Sequence, residues 1–435
     1  MKLETTKSFV LVVLIGMSLL LTFGLWTHQP SEGDASLTGE GNYTEGNLGG
    51  TEESLKTIVE PSSIIFHDNG SHYGFPNPAN QRNFYGEIQE WSMSNFQVPQ
   101  ILSDQSDADM EINFPDALPM SIVGRLFNLS ESVENPPTWS FDRMTFDYEE
   151  ENNLLRVTFD SVDRQRQARA TIHDSNSLGL FQTTVEDKEG LIPYILFAEG
   201  SEEIYVPSQT SGLHNYTLSI IDINPQMLVN SLFRDPEVVS RSLSPYGTVY
   251  TDYVRELRIR QNGQVADFIN PISNDGIPPQ KLDLLDLSMS NISSHGGWNN
   301  DYKLFSINRR EERVRYQMYY QDYPVFDSGL TMIEQEFGNQ TLLSYQRPMF
   351  RINSVIDDPE VKDLASGEEI IAYLRNNDGE GYSIDNIEDI RIGYDLTYND
   401  NASTDFLGLK AKWFMKHNGS WRAIKEENMD AMESN

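Results

Sequence analysis

The sequence predicts an α+β protein, with one N-terminal transmembrane helix followed by a multidomain extracytoplasmic body of hairpin-rich α+β domains. Asn-Gly dipeptides separate strand-like runs at Asn69-Gly70, Asn262-Gly263 and Asn418-Gly419, and Gly338-Asn339 does the same. Asn-Gly favours two-residue hairpin turns because both of its residues accept positive φ. Helical patterns are short, and they do not alternate with strands in the βαβ order that a parallel sheet requires.

Three helices are predicted within the body. Residues 119–127 place their apolar side chains on one face. Asn224 precedes a second helix over residues 225–233, which starts with proline at its first position. Ser366 and Glu369 have the spacing of a capping box in front of an apolar run, which predicts the third helix.

Composition and charge limit the classes of function. Of the 435 residues, 38% are hydrophobic and 11% aromatic, which is enough to build cores and excludes a wholly disordered chain. The 32 basic and 66 acidic residues give a net charge of −34. Such a field repels polyanions, so no nucleic-acid partner is expected. Cysteine is absent, which excludes disulfides, thiolate metal sites and Cys nucleophiles.

An apolar segment follows a basic N-terminus. Residues 1–8, the predicted cytoplasmic stub, contain Lys2 and Lys7, and no charged residue occurs from position 8 to 31. The apolar residues 9–26 would span about 27 Å as a helix, close to the roughly 30 Å of a bilayer core. Because basic residues precede this segment and acidic ones follow it, a cytoplasmic N-terminus and an extracellular body are expected. The segment predicts a single-pass protein of the cell membrane.

A cleaved signal peptide is the alternative interpretation of this segment. The apolar region of a signal peptide is normally about 7–15 residues long and ends at a site with small residues. Here the segment is longer and ends in Leu25 and Trp26, which are bulky. The uncleaved anchor is therefore the preferred interpretation.

Small residues mark two faces of the predicted transmembrane helix. Gly16 and Gly24 share one face with Leu20 between them, whereas Ser18 and Thr22 form a small-xxx-small pair on another. Helices associate in lipid through close packing at small residues rather than through burial of apolar surface. Either face is a candidate partner-binding surface; the alternative is that Gly and Ser are simply common in membrane helices.

The rest of the chain divides into a tether and three predicted domains. Residues 27–56 contain six Gly and six acidic residues with few large apolar side chains, so a flexible tether is expected there. An N-terminal extracytoplasmic domain is placed at 57–207, a central α+β domain at 208–305 and a C-terminal α+β domain at 306–425. An acidic tail follows at 426–435. These divisions rest on weakly marked loop-like segments.

The catalytic and metal-binding motifs that we searched for are missing. The sequence contains no Gly-x-Ser-x-Gly, His-Glu-x-x-His, Walker A loop or Gly-x-Gly-x-x-Gly. His67 and His72 could meet across a predicted hairpin, but two histidines without a third ligand more often lie on a surface. Acidic clusters at 104–111 and 376–381 lack the EF-hand spacing and are interpreted as solvated loops. No catalytic, cofactor or metal site is predicted, so no enzymatic activity is expected.

Residues 293–302, Ser-Ser-His-Gly-Gly-Trp-Asn-Asn-Asp-Tyr, form the most unusual segment. Gly296 and Gly297 permit positive φ and a close backbone approach, and Trp298 can anchor the loop on a core. One interpretation is an oxyanion loop of the His-Gly-Gly type, which needs a nucleophile elbow that the sequence lacks. The preferred interpretation is structural: a tight turn between domains, with His295 hydrogen-bonded.

Taken in order, several segments resemble the YycH (WalH) family. The resemblance begins in the anchor, "KSFVLVVLIGMSLLLTFGLWTHQP", and continues in "IVEPSSIIFHDNGSHYG". It is strongest in "SHGGWNNDYKLFSINRREERVRYQMYYQDYPVFDSG", which is followed by "YQRPMFRI". Near the end, "GYSIDNIEDIRIGYDL" and the later Trp413 make the domain at 306–425 similar to the last domain of YycH proteins and of YycI. The resemblance spans essentially the whole chain, although the tether is longer than is typical.

The resemblance implies regulation without catalysis and without a cofactor. YycH proteins are membrane-anchored accessory proteins of the YycG/WalK sensor histidine kinase in Gram-positive bacteria. The implied partners are a YycI-like protein and a YycG/WalK-like kinase, whose output controls cell-wall metabolism. The alternative is a surface-anchored hydrolase or binding protein of wall polymer. It would need a cleft with paired carboxylates or a deep aromatic-lined pocket.

Overall fold

The computed structural model describes residues 50–102, 108–133, 135–210, 212–260, 263–271, 283–327, 329–379, 381–401 and 404–425. The predicted transmembrane helix and most of the predicted tether lie outside these ranges. The candidate helix-face residues therefore lie outside them too: Gly16, Ser18, Leu20, Thr22 and Gly24. Within the described ranges, no helix has both the length and the apolar character that crossing a bilayer requires.

In the described residues, the N-terminal half of the body forms a nine-stranded antiparallel sheet with four α-helices. Its strands are β1 (Ser63–Asp68), β2 (Ser71–Gly74), β3 (Met93–Gln97), β4 (Met110–Pro119), β5 (Ser140–Glu149), β6 (Leu154–Ser161), β7 (Gln167–Ile172), β8 (Ile192–Phe197) and β9 (Ile204–Pro207). They pair in the order β3-β7-β6-β5-β4-β1-β2-β8-β9. The helices are α1 (Leu55–Ile58), α2 (Pro78–Glu90), α3 (Val123–Leu126) and α4 (Ser175–Asp187).

Capping and aromatic packing explain where α2 and α4 form and what they cover. Asn77 caps α2 and Asp174 caps α4, each accepting a hydrogen bond from a backbone amide of the first turn. Phe146 of β5 contacts Trp91 at the end of α2, with ring centroids 6.3 Å apart, and Phe181 of α4 at 6.5 Å. Because one strand residue reaches both, the two helices cover the same face of the sheet.

The second sheet has fifteen strands. They are β10 (His214–Asp222), β11 (Ser240–Ser244), β12 (Gly247–Thr251), β13 (Glu256–Arg260), β14 (Val265–Ile269), β15 (Asp301–Asn308), β16 (Arg313–Tyr320), β17 (Tyr323–Phe326), β18 (Met332–Gly338), β19 (Thr341–Pro348), β20 (Phe350–Val355), β21 (Glu360–Val361), β22 (Ile387–Asn401), β23 (Thr404–His417) and β24 (Ser420–Ala423). The helices are α5 (Pro225–Leu232), α6 (Leu284–Ser294) and α7 (Gly367–Asn376).

The order of pairing is β11-β12-β13-β14-β19-β18-β16-β17-β22-β23-β10-β20. Outside this order, β15 pairs with β16, β21 with β10 and β24 with β23. Among the described strands of this sheet, only β17 and β22 pair in parallel. Strand pairing crosses the predicted boundary at 305/306, since β15 spans it and the early strand β10 pairs with the late strands β20 and β23. The predicted domain divisions stay predictions: the boundary at 207/208 falls between the two sheets, since β9 ends at Pro207 and β10 begins at His214, but strand pairing does not mark the one at 305/306.

The predicted hairpins are confirmed. Asn69 and Gly70 have φ of 49° and 81°, and Asn418 and Gly419 have φ of 49° and 74°. The flanking strands β1 and β2, and β23 and β24, pair antiparallel across these turns. The strands on either side of the other two predicted turns, β13 with β14 and β18 with β19, pair in the same way.

Two predicted helices are confirmed and the third is shorter than expected. Asn224 caps α5, and Ser366 and Glu369 form the reciprocal hydrogen bonds of a capping box at α7. The helix predicted at 119–127 is wrong in its first half, because β4 continues through Pro119 and a 3-10 turn follows. Its apolar face is nevertheless buried: Met120, Val123, Leu126 and Phe127.

Lys303 of β15 fastens the N-terminal segment to the second sheet. Its Nζ donates to the carbonyl oxygen of Thr57 at 2.9 Å and contacts carboxylate oxygens of Glu60 at 2.7 Å and Asp301 at 3.2 Å. Burial by itself lowers the pKa of Lys303, but the two carboxylates outweigh burial and raise that pKa. The ammonium therefore stays charged and holds α1 in place.

Two further contacts join the sheets. The backbone N–H of Ile307 on β15 donates to the Asp116 carboxylate at the centre of β4, at 2.7 Å. Arg125 of α3 donates two hydrogen bonds of 2.5 Å to the carboxylate of Asp286 on α6. A two-pronged pair fixes orientation as well as distance, so α3 and α6 are held in one relative position.

We expect Lys303→Met to lower the free energy of unfolding by about 3 kcal/mol, because it leaves the largely buried Glu60 carboxylate without its cation. Urea unfolding at pH 7 measures this loss. Lys56→Met is the matched control, since the Lys56–Glu90 pair is 2.6 Å long but leaves 71% of the Glu90 side chain exposed. That change should cost less than about 1 kcal/mol. Equal losses for the two variants would contradict the role assigned to Lys303.

Candidate functional site

The segment that enters the body binds a loop of the second sheet, and we call this contact the junction. It consists of Gly50 and Thr51 against Gly296, Gly297 and Trp298. The N–H of Thr51 donates to the carbonyl oxygen of Trp298 at 2.9 Å, and the N–H of Trp298 donates back at 3.0 Å. The flexible tether predicted through residue 56 is thus wrong for its last residues, because backbone pairing fixes them from residue 50 onward.

Glycine is required on both sides of the junction. A Cβ on Gly50 would lie 2.5 Å from the carbonyl oxygen of Gly296, which is backbone and has no room to move. A Cβ on Gly297 would lie 2.8 Å from the carbonyl oxygen of Thr51. Gly296 and Gly297 also have φ of 105° and 75°, a region that side chains disfavour. The two segments approach this closely only because both lack side chains.

Arg347 of β19 forms hydrogen bonds with the loop that contains Gly297 and Asn299. It is 1% exposed, and its guanidinium donates to the hydroxyl of Tyr345 at 2.9 Å and to the carbonyl oxygen of Gly297 at 3.2 Å. It also donates to the side-chain oxygen of Asn299. A planar guanidinium that reaches three oxygens fixes the direction of the Gly297 peptide. It thereby fixes the position at which the backbone of Thr51 pairs with the loop.

Trp298 connects the junction to the core. It is 2% exposed, and its ring lies edge-on to Tyr316 with centroids 4.9 Å apart. The hydroxyl of Tyr316 donates to Ser288 of α6 at 2.8 Å, and Ser288 donates to the side-chain oxygen of Gln335 at 2.6 Å. A continuous path of contacts therefore runs from the exposed Thr51 through the buried Trp298 to α6 and β18.

His295 ends α6 and is a structural residue in this geometry. Its ring Nδ1 lies 2.7 Å from the carbonyl oxygen of Asn291, one turn earlier in the helix. Burial lowers the pKa of His295, so the neutral imidazole donates that hydrogen bond. The loop connects α6 to β15 of the second sheet, so it is not a turn between two successive domains. It pairs with the segment at Thr51, which comes from the N-terminal end of the body.

A second polar cluster lies on the first sheet. His67 and His72 stand directly opposite each other on β1 and β2, with their Nδ1 atoms 2.8 Å apart, and the ring of Tyr205 contacts both. The predicted meeting of the two histidines is thus confirmed. Burial, aided by His72 and Arg143, lowers the pKa of His67 to about 4. One neutral ring donates to the other.

Buried carboxylates accompany this histidine pair. Burial raises the pKa of Glu111, whose oxygen lies 3.9 Å from the Nε2 of His67 and 3.8 Å from the guanidinium of Arg143. Arg143 also reaches Asp160 at 3.4 Å. Among the described residues, no group of three or more His, Asp or Glu side chains is arranged to hold a metal ion. Of the predicted acidic cluster at 104–111, positions 104–107 lie outside the described ranges.

Sequence reasoning missed the roles of Arg347, Lys303 and Gly50. Arg347 lies in the segment "YQRPMFRI" and Lys303 in the long segment that begins at Ser294, but nothing in their spacing separates a buried cation from a surface one. Gly50 is one of six glycines in a segment that is otherwise polar. Its role depends on a loop almost 250 residues away, which local patterns do not reveal.

Comparison with known proteins identifies the family. Models of the N-terminal and C-terminal domains of YycH protein match residues 4–187 and 201–430. The chain belongs to the YycH family. A relative in this family, the "Two-component system WalR/WalK regulatory protein YycH" of Bacillus subtilis (strain 168), is 24% identical over 96% of this chain and 96% of its own. The resemblance of the sequence to YycH proteins is therefore confirmed.

The fold agrees with that of a solved YycH protein. The crystal structure of YycH from Bacillus subtilis superposes with a TM-score of 0.66 at 20% identity, covering 87% of this chain and 99% of that one. The predicted α+β class is confirmed for the body. At this identity the likeness shows the fold alone. The junction and the histidine cluster are defined by the distances and burial of this chain's own residues.

Gly297→Ala should release Thr51 from the loop. Gly379→Ala is the matched control, because Gly379 also has a positive φ, 87°, but has open space around its Cβ position. Both variants carry the backbone strain of a left-handed residue, about 1 kcal/mol, whereas only Gly297→Ala meets the carbonyl oxygen of Thr51. We expect faster hydrogen exchange at the Thr51 amide in Gly297→Ala alone. Unchanged exchange in that variant would contradict the proposed packing.

His67 should make stability fall in acid. The unfolded chain takes up a proton at this residue near pH 6.5, whereas the folded protein does so only near pH 4, so the unfolded state binds more protons between these values. We expect His67→Phe to remove about 2 kcal/mol of the stability lost between pH 7 and pH 5, measured by urea unfolding. His173→Phe, at an exposed histidine, should leave the slope unchanged. Parallel slopes for wild type and His67→Phe would refute this assignment.

Proposed function

We propose that this protein is a membrane-anchored, non-catalytic accessory regulator of a WalR/WalK-type two-component system, acting together with a YycI-like protein. The observation that carries the proposal is the match over 96% of both chains to a protein named as a regulator of WalR/WalK. Because the match leaves no large part of either chain unaligned, the same division into anchor and body is expected in both.

The N-terminal sequence supports a membrane location. Residues 9–26 have the length and apolar character of a transmembrane helix, and the basic residues before them favour a cytoplasmic N-terminus. In this arrangement the helix contacts the sensor kinase within the bilayer, and the body meets the YycI-like protein outside the cell. The faces at Gly16 and Gly24, or at Ser18 and Thr22, are the candidate helix contacts.

The geometry of the body suits a regulator better than an enzyme. Three of its buried carboxylates lie beside cations: Glu60 beside Lys303, and Glu111 and Asp160 beside Arg143. Two depressions on the described surface have volumes of about 340 and 450 Å³ and are open to solvent. The first is lined largely by charged side chains of the second sheet, several of which pair with one another. Neither of these two depressions is enclosed in the way a deep ligand-binding pocket is.

The junction supplies a route from the membrane to the body. In this proposal, a force that reaches Gly50 through the tether would act on Thr51, and through Thr51 on Trp298 and α6. A signal also requires that the complex bind one state of the kinase better than another.

Affinity purification of the full-length protein from detergent-extracted membranes tests the proposal. We expect the YycI-like protein and the sensor kinase to accompany it. A soluble sample that starts at Glu45 keeps the junction and should retain the YycI-like protein while losing the kinase. Recovery of neither partner with the full-length protein would contradict the proposed function, and assays of wall-polymer binding and hydrolysis would then test the alternative.

Gly16→Ile combined with Gly24→Ile should lower kinase recovery about fivefold or more, because added bulk on a close-packed face removes about 1 kcal/mol of packing. Ser18→Ile combined with Thr22→Ile adds similar bulk to the other face and serves as the comparison. Recovery of the YycI-like protein by the extracellular body is the internal control. Unchanged kinase recovery in the glycine variant would remove that face as the contact.

A further inference from the structure

The second sheet ends in an exposed strand with apolar side chains around it. β11 is the first strand in the order of pairing, and no described strand pairs with its outer edge. Leu243 on β11 is 80% exposed, Tyr246 in the following turn 79%, and Tyr253 in the next turn 89%. Unpaired backbone groups beside exposed apolar side chains are the features that a further strand would cover.

The buried face of the sheet continues onto β11 without a cover. Through strand pairing, Leu243 lies in one row with Thr248, Ile259 and Ala266, of which Ile259 and Ala266 are at most 4% exposed. Arg241 lies in the neighbouring row and its guanidinium stacks on Tyr250, 5.9 Å from the ring centroid. The Leu243 side chain therefore lies on the same face of the sheet as the core residues Ile259 and Ala266. It is nevertheless 80% exposed, so the packing over that face does not extend to it.

The local charge at this edge does not oppose contact between two copies of the chain. Residues 236–260 contain four Arg and three acidic residues, a net charge of +1, in a chain with a net charge of −34. At physiological ionic strength charges act over only about 8 Å, so the charge near the contact decides whether two surfaces approach. Two copies of this acidic protein therefore meet little electrostatic repulsion along the β11 edge, although the net charge of each chain is strongly negative.

We propose that β11 pairs antiparallel with β11 of a second copy of this chain, about a two-fold axis at Ser242, so that the two sheets become one. This register puts Leu243 of each copy opposite Arg241 of the other, which lets the aliphatic part of the arginine side chain cover the leucine. In this register the Arg241 side chains of the two copies do not lie opposite each other. It also brings Val238, 57% exposed, toward Tyr246 of the second copy.

The absence of cysteine from the chain makes the register directly testable. With Ser242→Cys in the full-length protein, the two introduced thiols would lie directly opposite each other. Their Cα atoms would be about 4.5–5.5 Å apart, within the range of a disulfide. We expect mild oxidation of the detergent-solubilised protein to convert it into a covalent dimer, measured on a non-reducing gel.

Ser240→Cys is the matched control on the same strand and face. The register puts Ser240 opposite Ser244 of the second copy, so the two thiols introduced by Ser240→Cys would be offset by about 13 Å along the strand and should not link. A mixture of the Ser240→Cys and Ser244→Cys proteins should link to each other. Equal linking by Ser242→Cys and Ser240→Cys, or none by Ser242→Cys, would overturn the proposed pairing.

Leu243→Asp tests the energetic role of the exposed side chain. We expect it to raise the dissociation constant of the dimer at least about tenfold, measured by analytical ultracentrifugation of the full-length protein. Val361→Asp, at another exposed apolar residue on a short strand, should leave the constant unchanged. If the full-length protein is monomeric and Leu243→Asp instead abolishes recovery of the YycI-like protein, the edge receives that partner and the pairing of two copies is wrong.

Discussion

The ammonium of Lys303 is the contact on which the arrangement of the body depends. It lies between the carbonyl oxygen of Thr57 and the carboxylate of Glu60, and so ties the segment before the first sheet to a strand of the second. A charge this buried is held only where its partners stay in place, because the cost of desolvation is otherwise unopposed. The position of α1 follows from this contact, and the junction at Thr51 is four residues before α1.

The junction and the Lys303 contact together turn a polar segment into a fixed connection. Backbone pairing between Thr51 and Trp298 sets the position, the glycines allow the approach, and Arg347 holds the receiving loop. These groups are closely packed against one another, and Trp298 and Arg347 are at most 2% exposed. This is the pattern expected of a part that transmits position, which agrees with a regulatory role for a member of the YycH family.

Local signals in the sequence were enough to predict much of the fold. The Asn-Gly turns set the register of their hairpins, which is why His67 and His72 were expected to meet and do so. The caps at Asn224 and Ser366 set two helix starts. The helix predicted over residues 119–127 was partly wrong because pairing of β4 with β5 held Pro119 in a strand, and tertiary pairing outweighed the helical spacing of apolar residues.

The sequence by itself determined the α+β class, the turns and the expectation of a membrane anchor, because each depends on residues close together in the chain, and it indicated the family through the order of its segments along the chain. Only the tertiary structure decided that Gly50 meets Gly297, that Lys303 and Arg347 are buried, and that β10 pairs with strands from the end of the chain. These contacts join residues from about 50 to nearly 250 positions apart. Their existence depends on which surfaces the folded sheets bring together, and no local pattern of polarity or spacing encodes that.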